Sequence, residues 1–283
     1  MHQIYLVFLE TLREFKKYNI SQMAASLAYF GLFATAPIIV ITISILNIFL
    51  SDIQIRYELL KNVQTAAGPQ VATTVNTVLI NNSNKESTNF VFETITIATL
   101  IIAATTLFIQ LQNTINTLWN IHSIKPTSLL TQLRTRFFSL LAIIIAGISL
   151  YILFAVSILI NLAGGYFQTL TGYHPWIIQN INFMISFFFI IAVITCIFKY
   201  IPEAYISWLD ALVGGTVTAV FFTIGRYLLT FYFSKSVLGS IYGTAGSLLV
   251  FLAWIYFSAI IFLFGAKLTQ IHAQKMGEGV HAH

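Results

Sequence analysis

The amino-acid sequence predicts an all-α membrane protein: a polytopic bundle of six transmembrane helices with short amphipathic helices on its surfaces. Of its 283 residues, 58% are hydrophobic and only 8% are charged. Soluble domains have about 45–50% apolar and about 25% charged residues. Four stretches without any charged residue are 31 to 62 residues long, and about 20 apolar residues cross a bilayer. A soluble or disordered chain is therefore excluded, because it could not cover this apolar surface.

The uncharged stretches also predict where the spans lie. The longest one, between Arg136 and Lys199, has room for two spans, and its Gly164-Gly165 pair and residues 171–175 (TGYHP) indicate the turn between them. A further apolar segment, 208–233, has Asp210 near its start and is interrupted by Arg226. We predict spans at 24–50, 92–119, 137–163, 182–200, 209–233 and 246–270. Membrane β-strands are disfavoured because the apolar runs are continuous and not alternating.

The basic residues predict the orientation. Placing both termini on one side puts nine Lys and Arg residues on that side and four on the other. Cytoplasmic loops carry the excess of positive charge, so we expect a bacterial inner (plasma) membrane protein with both termini in the cytoplasm. This asymmetry also explains the net charge of +5 without a nucleic-acid partner.

Two segments outside the spans have amphipathic patterns, and we expect a single membrane domain over 1–283. Residues 1–22 predict a cytoplasmic helix, which either lies along lipid head groups or packs on the bundle. Residues 51–91 predict a helical periplasmic loop, because apolar residues recur at helical spacing on both sides of Gly68-Pro69. These outer helices either cap the bundle or dock a partner.

The sequence contains no recognisable catalytic or cofactor motif. Phosphate-loop, zinc-protease and nucleophile-elbow patterns are absent from it. None of the six histidines is spaced with a carboxylate as metal ligands are. The nine carboxylates mostly flank spans, so no buried acid pair is expected. We therefore expect no enzyme, no metal and no cofactor.

Arg226 is the charge in the interior of the fifth predicted span, whose other charged residue, Asp210, lies at its start. A charge within a membrane costs at least about 2.5–3.5 kcal/mol and usually faces a bundle interior or a wet cavity. One hypothesis is that Arg226 contacts a ligand or a lipid phosphate on a substrate pathway. The alternative is that its long side chain reaches the outer interface.

Amide side chains cluster near the end of the second predicted span. Gln110, Asn113 and Asn116 are three positions apart, which predicts one polar helix face. The amides either bind neighbouring helices together or form the wall of a polar cavity, so all three are pathway candidates.

Two connections supply the remaining candidates. The connection before the fifth span contains Lys199, Glu203 and Asp210, which are candidates for a cytoplasmic gate. Ser207 there is a candidate helix cap. The segment before the sixth span contains Tyr242 and Gly243 among small residues. It forms either irregular backbone along a pathway or a plain turn.

Several short segments have an order and spacing that are specific only in combination. They are residues 24–30 (AASLAYF) with Ala36-Pro37, Asn116 with Leu118-Trp119, residues 199–202 (KYIP) with Trp208 and Gly214-Gly215, and Tyr242-Gly243 with Gly246, residues 254–256 (WIY) and Gly265-Ala266. In these segments, and over essentially its whole length, the chain resembles the YihY/BrkB family of bacterial inner-membrane proteins. It departs from the family at Lys267, where relatives usually have Glu, so no role for an acid is carried over.

The resemblance implies a six-span inner-membrane protein. Some relatives are associated with export of lipid or lipopolysaccharide precursors and with resistance to serum killing, and an older label for the family is ribonuclease BN. Our leading hypothesis is a transporter or lipid-translocation component with an interhelical cavity and membrane lipids as partners. The alternative is a membrane scaffold that docks a periplasmic lipid-transfer protein. A nuclease is disfavoured because the chain lacks its chemistry.

Overall fold

The structure, a computed structural model, describes residues 2–49, 90–121, 175–235, 244–277 and 279–282, and six isolated helical positions (60, 64, 73, 76, 152 and 156). Six helices and two short strands make up the described ranges. In chain order they are α1 (His2–Lys17), α2 (Ile20–Phe49), α3 (Phe90–Leu118), α4 (Pro175–Tyr200), β1 (Ala204–Tyr205), α5 (Trp208–Lys235), α6 (Thr244–Met276) and β2 (His281–Ala282).

Five of the helices, α2 to α6, coincide with five of the six predicted spans. Within the described residues, three segments are long and apolar enough to cross a membrane: Asn180–Tyr200, Trp208–Leu229 and Leu248–Met276. The apolar segment Ile20–Thr35 is shorter. The all-helical membrane class is thus confirmed, whereas most of the predicted span at 137–163 and most of the loop at 51–91 lie outside the described residues.

Helix α6 is the central element of the packing. It contacts α1, α2, α3 and α5, while α4 packs on α5 and α2 packs on α3. The main core gathers where these helices meet the α4–α5 loop. Its fully buried side chains include Ile20, Ile115, Leu118, Phe198 and Leu263.

Small residues bring α5 and α6 together. A Cβ atom on Gly214 would lie 2.9 Å from Cβ of Thr269, and one on Gly265 would lie 2.9 Å from Cβ of Thr218. Both distances are closer than real Cβ atoms approach, so each threonine occupies the space of the missing side chain. Glycine at such positions is what lets membrane helices approach closely.

Helix α1 packs on the bundle. Val7 and Thr11 are buried, and the Phe8 ring lies 5.6 Å from the Phe264 ring of α6 in an edge-on contact. Leu6 and Leu12 are exposed on the other face. Packing of this helix on the bundle is thus observed, while contact of its exposed face with lipid head groups stays a prediction.

The predicted surface helix over 1–22 is shorter in the structure. It ends at Lys17, and α2 begins at Ile20. Between them Asn19 has φ 47°, a left-handed conformation that asparagine adopts more readily than most residues. Its carbonyl accepts the backbone N–H of Gln22 at 2.9 Å, so this residue ends one helix and starts the next.

The tail end of the bundle is the end that carries residues 18–19, 119–121, 201–207, 277 and 279–282. Two-residue strands β1 and β2 pair there, antiparallel, with Ala204 opposite Ala282 and Tyr205 opposite His281. The sequence did not predict this pairing. It holds the chain after α6 against the α4–α5 loop.

Candidate functional site

A polar cleft of about 370 Å³ lies between the start of α2 and the end of α3. Its volume falls in the range of about 300–1,000 Å³ found for ligand pockets. It is lined by Tyr18, Asn19, Gln22, Met23, Ser26, Gln110, Asn113, Thr114 and Thr117. None of these described lining residues is charged, and most carry an amide or a hydroxyl group.

The structure separates the three amides that the sequence placed on one face. Gln110 and Asn113 line the cleft, and Gln110 Nε2 donates a hydrogen bond to Ser26 Oγ at 2.9 Å. Asn116 is buried and points elsewhere, because its Oδ1 accepts the backbone N–H of Glu203 at 3.0 Å. The single-face prediction was wrong for Asn116. Six residues at 100° each rotate its side chain by about 120° from that of Gln110.

A buried lysine lies behind one wall of the cleft. Tyr18 lines the cleft, and Lys267 Nζ lies 4.1 Å from the centre of the Tyr18 ring. Only 4% of the Lys267 side chain is exposed, and Glu14 Oε2 lies 3.5 Å from its ammonium. Asn120 Nδ2 donates to the Tyr18 hydroxyl at 2.6 Å, which holds the ring in place.

The same lysine closes the end of α3. Its ammonium donates to the Leu118 carbonyl at 3.3 Å and to Gln270 Oε1 at 2.9 Å. Gln270 in turn donates to the Trp119 carbonyl at 2.7 Å, and Trp119 Nε1 donates to the Ala266 carbonyl at 2.9 Å. The last carbonyls of a helix carry partial negative charge, so a cation from α6 compensates them here. Sequence reasoning noticed Lys267 only as a departure from the family pattern.

The three gate candidates make separate contacts within the described residues. Lys199 Nζ donates to the Ile206 carbonyl, and its ammonium lies 5.8 Å from the centre of the Trp208 ring. Glu203 contributes its backbone N–H to Asn116. These contacts hold the α4–α5 loop in one shape, and Gln112 Nε2 adds a hydrogen bond to the Ile201 carbonyl at 3.0 Å. The gate itself stays a prediction.

Asp210, the third gate candidate, is buried at the start of α5. Its Oδ2 accepts the Ser207 hydroxyl at 2.8 Å, and its backbone N–H donates to Ser207 Oγ at 3.2 Å. The predicted cap by Ser207 is thus confirmed. On the other side, Oδ1 lies 2.6 Å from His272 Nδ1 of α6. A Cβ atom on Gly277 would collide with the same carboxylate.

Ser207, Asp210 and His272 do not form a nucleophilic triad in this arrangement. A triad needs the nucleophile hydrogen-bonded to its base, whereas here the carboxylate lies between the hydroxyl and the imidazole. The geometry suits a connection between two helix ends. Sequence reasoning weighed His272 only as a metal ligand. The signal that could have revealed this pair is the placement of Asp210 in the first turn of one helix and of His272 near the end of the next.

Arg226 is half-buried on α5, and its described contacts are with the next residue. Its Nη2 donates to the Tyr227 hydroxyl at 3.4 Å, and Cζ lies 5.1 Å from the centre of the Tyr227 ring. Tyr227 is itself exposed. The pathway role of Arg226 therefore stays a prediction. Tyr242 and Gly243 lie outside the described residues.

No metal centre was expected. Among the residues that the structure describes, no group of three or more His, Cys, Asp or Glu side chains is arranged to hold a metal ion.

The family model described as "Virulence factor BrkB" matches residues 11–283. The chain belongs to the BrkB family. This membership confirms the resemblance seen in the sequence, and the chain is similar to further members over most of its length. A "UPF0761 membrane protein" of Histophilus somni (strain 2336) is 26% identical, covering 93% of this chain and 88% of its own length.

Other BrkB relatives carry the same kind of name. The "UPF0761 membrane protein MS0032" of Mannheimia succiniciproducens is 24% identical and covers 96% of this chain and 91% of its own. One from Haemophilus influenzae (strain 86-028NP), "UPF0761 membrane protein NTHI0384", is 25% identical and covers 91% of both chains. No solved structure matches this chain. The relatives support a membrane protein and name no activity.

Proposed function

We propose that this BrkB-family chain is a six-span inner-membrane protein that helps to move lipid across the bilayer. Both termini lie in the cytoplasm in this proposal. The lipid head group passes through the polar cleft between α2 and α3, while the acyl chains stay in the surrounding hydrocarbon. The chain itself carries no nucleotide hydrolysis. Phospholipids and lipopolysaccharide precursors are the substrate classes in this proposal.

The observation that carries this proposal is a polar cleft between two predominantly apolar helices. Amide and hydroxyl groups of Ser26, Gln110 and Asn113 line it, although most side chains of α2 and α3 are apolar, as in membrane helices. Moving a polar group into hydrocarbon without a hydrogen-bond partner costs about 4–8 kcal/mol. A lining of neutral donors and acceptors reduces this cost for a head group.

The orientation supports a passage that begins at the cytoplasmic face. The cleft lies beside the tail end of the bundle, where residues 18–19 connect α1 to α2 and Asn120 follows α3. The basic residues near the termini favour the cytoplasm for this end. Arg226 lies farther along α5, about 27 Å from its start at a rise of 1.5 Å per residue, and would meet the head group near the outer face.

A translocation assay tests the proposal. The purified protein is reconstituted in liposomes with a fluorescent phospholipid, and dithionite then bleaches only the outer leaflet. We expect the protein to increase the bleached fraction beyond that in protein-free liposomes. The double variant Gln110→Leu/Asn113→Leu should remove most of this increase, because it replaces two polar groups of the cleft wall.

Gln274→Leu is the control, since Gln274 is an exposed amide at the end of α6, away from the lining residues. Equal activity of the double variant and the control would contradict the proposed path. If the protein moves no lipid, and crosslinking through 51–91 in cells captures one periplasmic protein in a fixed ratio, the scaffold takes the place of the translocator.

A further inference from the structure

The polar cleft has a buried positive charge behind its Tyr18 wall. The Lys267 ammonium lies 4.1 Å from the centre of the Tyr18 ring, and 4% of the Lys267 side chain is exposed. The Tyr18 ring thus has a buried cation over it, and the exposed Lys17 ammonium lies farther away, 5.7 Å from the same ring centre. A cation as close as that of Lys267 is attracted to the face of an aromatic ring, so the ring and Lys267 form one unit.

The charges around this lysine do not cancel. Glu14 lies 3.5 Å from Lys267, but the same carboxylate group lies 3.7 Å from Lys17. Two cations and one acid leave a net charge of +1. The other contacts of the Lys267 ammonium are neutral oxygens of Leu118 and Gln270.

Burial decides which of the two cations acts on the cleft. The Lys17 side chain is 70% exposed, so water and salt screen its charge. Lys267 is buried, and charges in a low-dielectric interior interact much more strongly than charges in water. Glu14 is 28% exposed and is shared between the two lysines, so it offsets the charge of the buried Lys267 only in part. The Tyr18 end of the cleft is therefore electropositive.

The lining adds hydrogen-bond donors without adding a competing acid. The amides of Asn19, Gln22 and Asn113 lie along the described wall of the cleft. Asn19 and Gln22 also belong to the start of α2, and the first turn of a helix carries partial positive charge. Donors and positive potential without a carboxylate suit an anion that has several acceptor oxygens.

We propose that the cleft binds a phosphate group, and that Lys267 sets its preference for anions through Tyr18. This inference rests on the proposed function for its lipid form, in which the phosphate belongs to an anionic head group. The chemistry is the same for free phosphate, so the experiment distinguishes the two sources. Lys267 is a specificity residue here and does not touch the ligand directly.

Native mass spectrometry of the purified chain tests the inference. The protein in detergent is equilibrated with equal amounts of phosphatidylglycerol and phosphatidylcholine that have identical acyl chains. We expect a preference of about tenfold for phosphatidylglycerol, and a decrease to less than about twofold in Lys267→Gln, the size expected for one poorly screened charge.

Further variants separate the charge from folding. Glu14→Gln removes the acid and should increase the preference for the anionic lipid, which a damaged fold would not do. Lys267→Arg should restore most of the preference lost in Lys267→Gln. Lys275→Gln is the matched control, because it removes the same charge from the same helix but pairs with Glu10, away from Tyr18.

Each outcome decides for or against the inference. If wild type shows no preference, or if Lys275→Gln lowers it as much as Lys267→Gln, the inference is overturned. Competition by inorganic phosphate at millimolar concentration would identify free phosphate as the ligand, and its failure would identify the lipid head group. Anion preference without lipid movement in liposomes would overturn the proposed function alone. Lipid movement without anion preference would overturn this inference alone.

Discussion

His272 Nδ1, near the end of α6, lies 2.6 Å from Oδ1 of Asp210 in the first turn of α5. The Asp210 side chain is 2% exposed and that of His272 is 15% exposed. The helix dipole favours an acid near a helix start, and the His272 ring hydrogen-bonds this acid from the end of the neighbouring helix. This pair therefore connects two antiparallel helices at the tail end of the bundle, beside Gly277, where the chain leaves α6.

Removing His272 should destabilise the protein strongly. His272→Ala leaves Oδ1 of the buried Asp210 carboxylate without its partner, while Oδ2 keeps the Ser207 hydroxyl, and an unpaired buried group costs about 1–3 kcal/mol or more when it is charged. The free energy of unfolding in detergent measures the effect. Gln274→Ala, an exposed neighbour on the same helix, should change it by less than about 0.5 kcal/mol. In Asp210→Ala/His272→Ala the two losses should not add, and simple additivity would show that the pair contributes nothing.

Gly265→Val should separate α5 from α6. The new side chain would occupy the space of Thr218, whose Cβ already lies 2.9 Å from the Cβ position of residue 265. Overpacking of this kind costs about 1–3 kcal/mol or more. Thermal unfolding of the purified protein measures the loss. Thr218→Gly in the same chain should recover part of it, and no recovery would argue against this contact as the cause.

Asn116→Ala should loosen the α4–α5 loop without affecting the cleft. The Asn116 side chain accepts the Glu203 amide at 3.0 Å, and an unpaired buried group costs about 1–3 kcal/mol. Hydrogen exchange should therefore be faster at the Glu203 amide. Asn113→Ala changes an exposed residue of the cleft wall and should leave the exchange rate at the Glu203 amide unchanged. Equal exchange in the two variants would contradict the separation of these amides.

Single cysteines should report the orientation of the chain. Cys196 is the only native cysteine and is replaced by Ser in this experiment. Asn120→Cys should then react with an impermeant maleimide only from the cytoplasmic side, because Asn120 is exposed at the tail end. Ser83→Cys, in the predicted outer loop, should react only from the periplasm. Labelling of both positions from the same side would contradict the prediction that one membrane span lies between them.

The ends of the helices show which boundaries the sequence could predict. The start of α5 was predicted at 209 and lies at Trp208, because Ser207 is a local cap. Helix α4 begins at Pro175, seven residues before the predicted span, because proline is favoured in the first turn of a helix. The predicted span begins later because the polar residues near 180 lower the hydropathy there. Helix α6 continues to Met276 because Lys267 and His272 find partners within the protein.

The sequence by itself determined the class, the places of five helices and the family. The class and the helix positions follow from the hydropathy of each stretch, and the family follows from short segments of sequence. Neither depends on how the helices pack against one another. The tertiary structure alone decided that Asp210 pairs with His272, that Asn116 leaves the face of Gln110, and that Lys267 lies behind the Tyr18 wall. Each of these contacts joins residues of different elements. Their geometry depends on helix crossing and rotation, which no local pattern in the chain encodes.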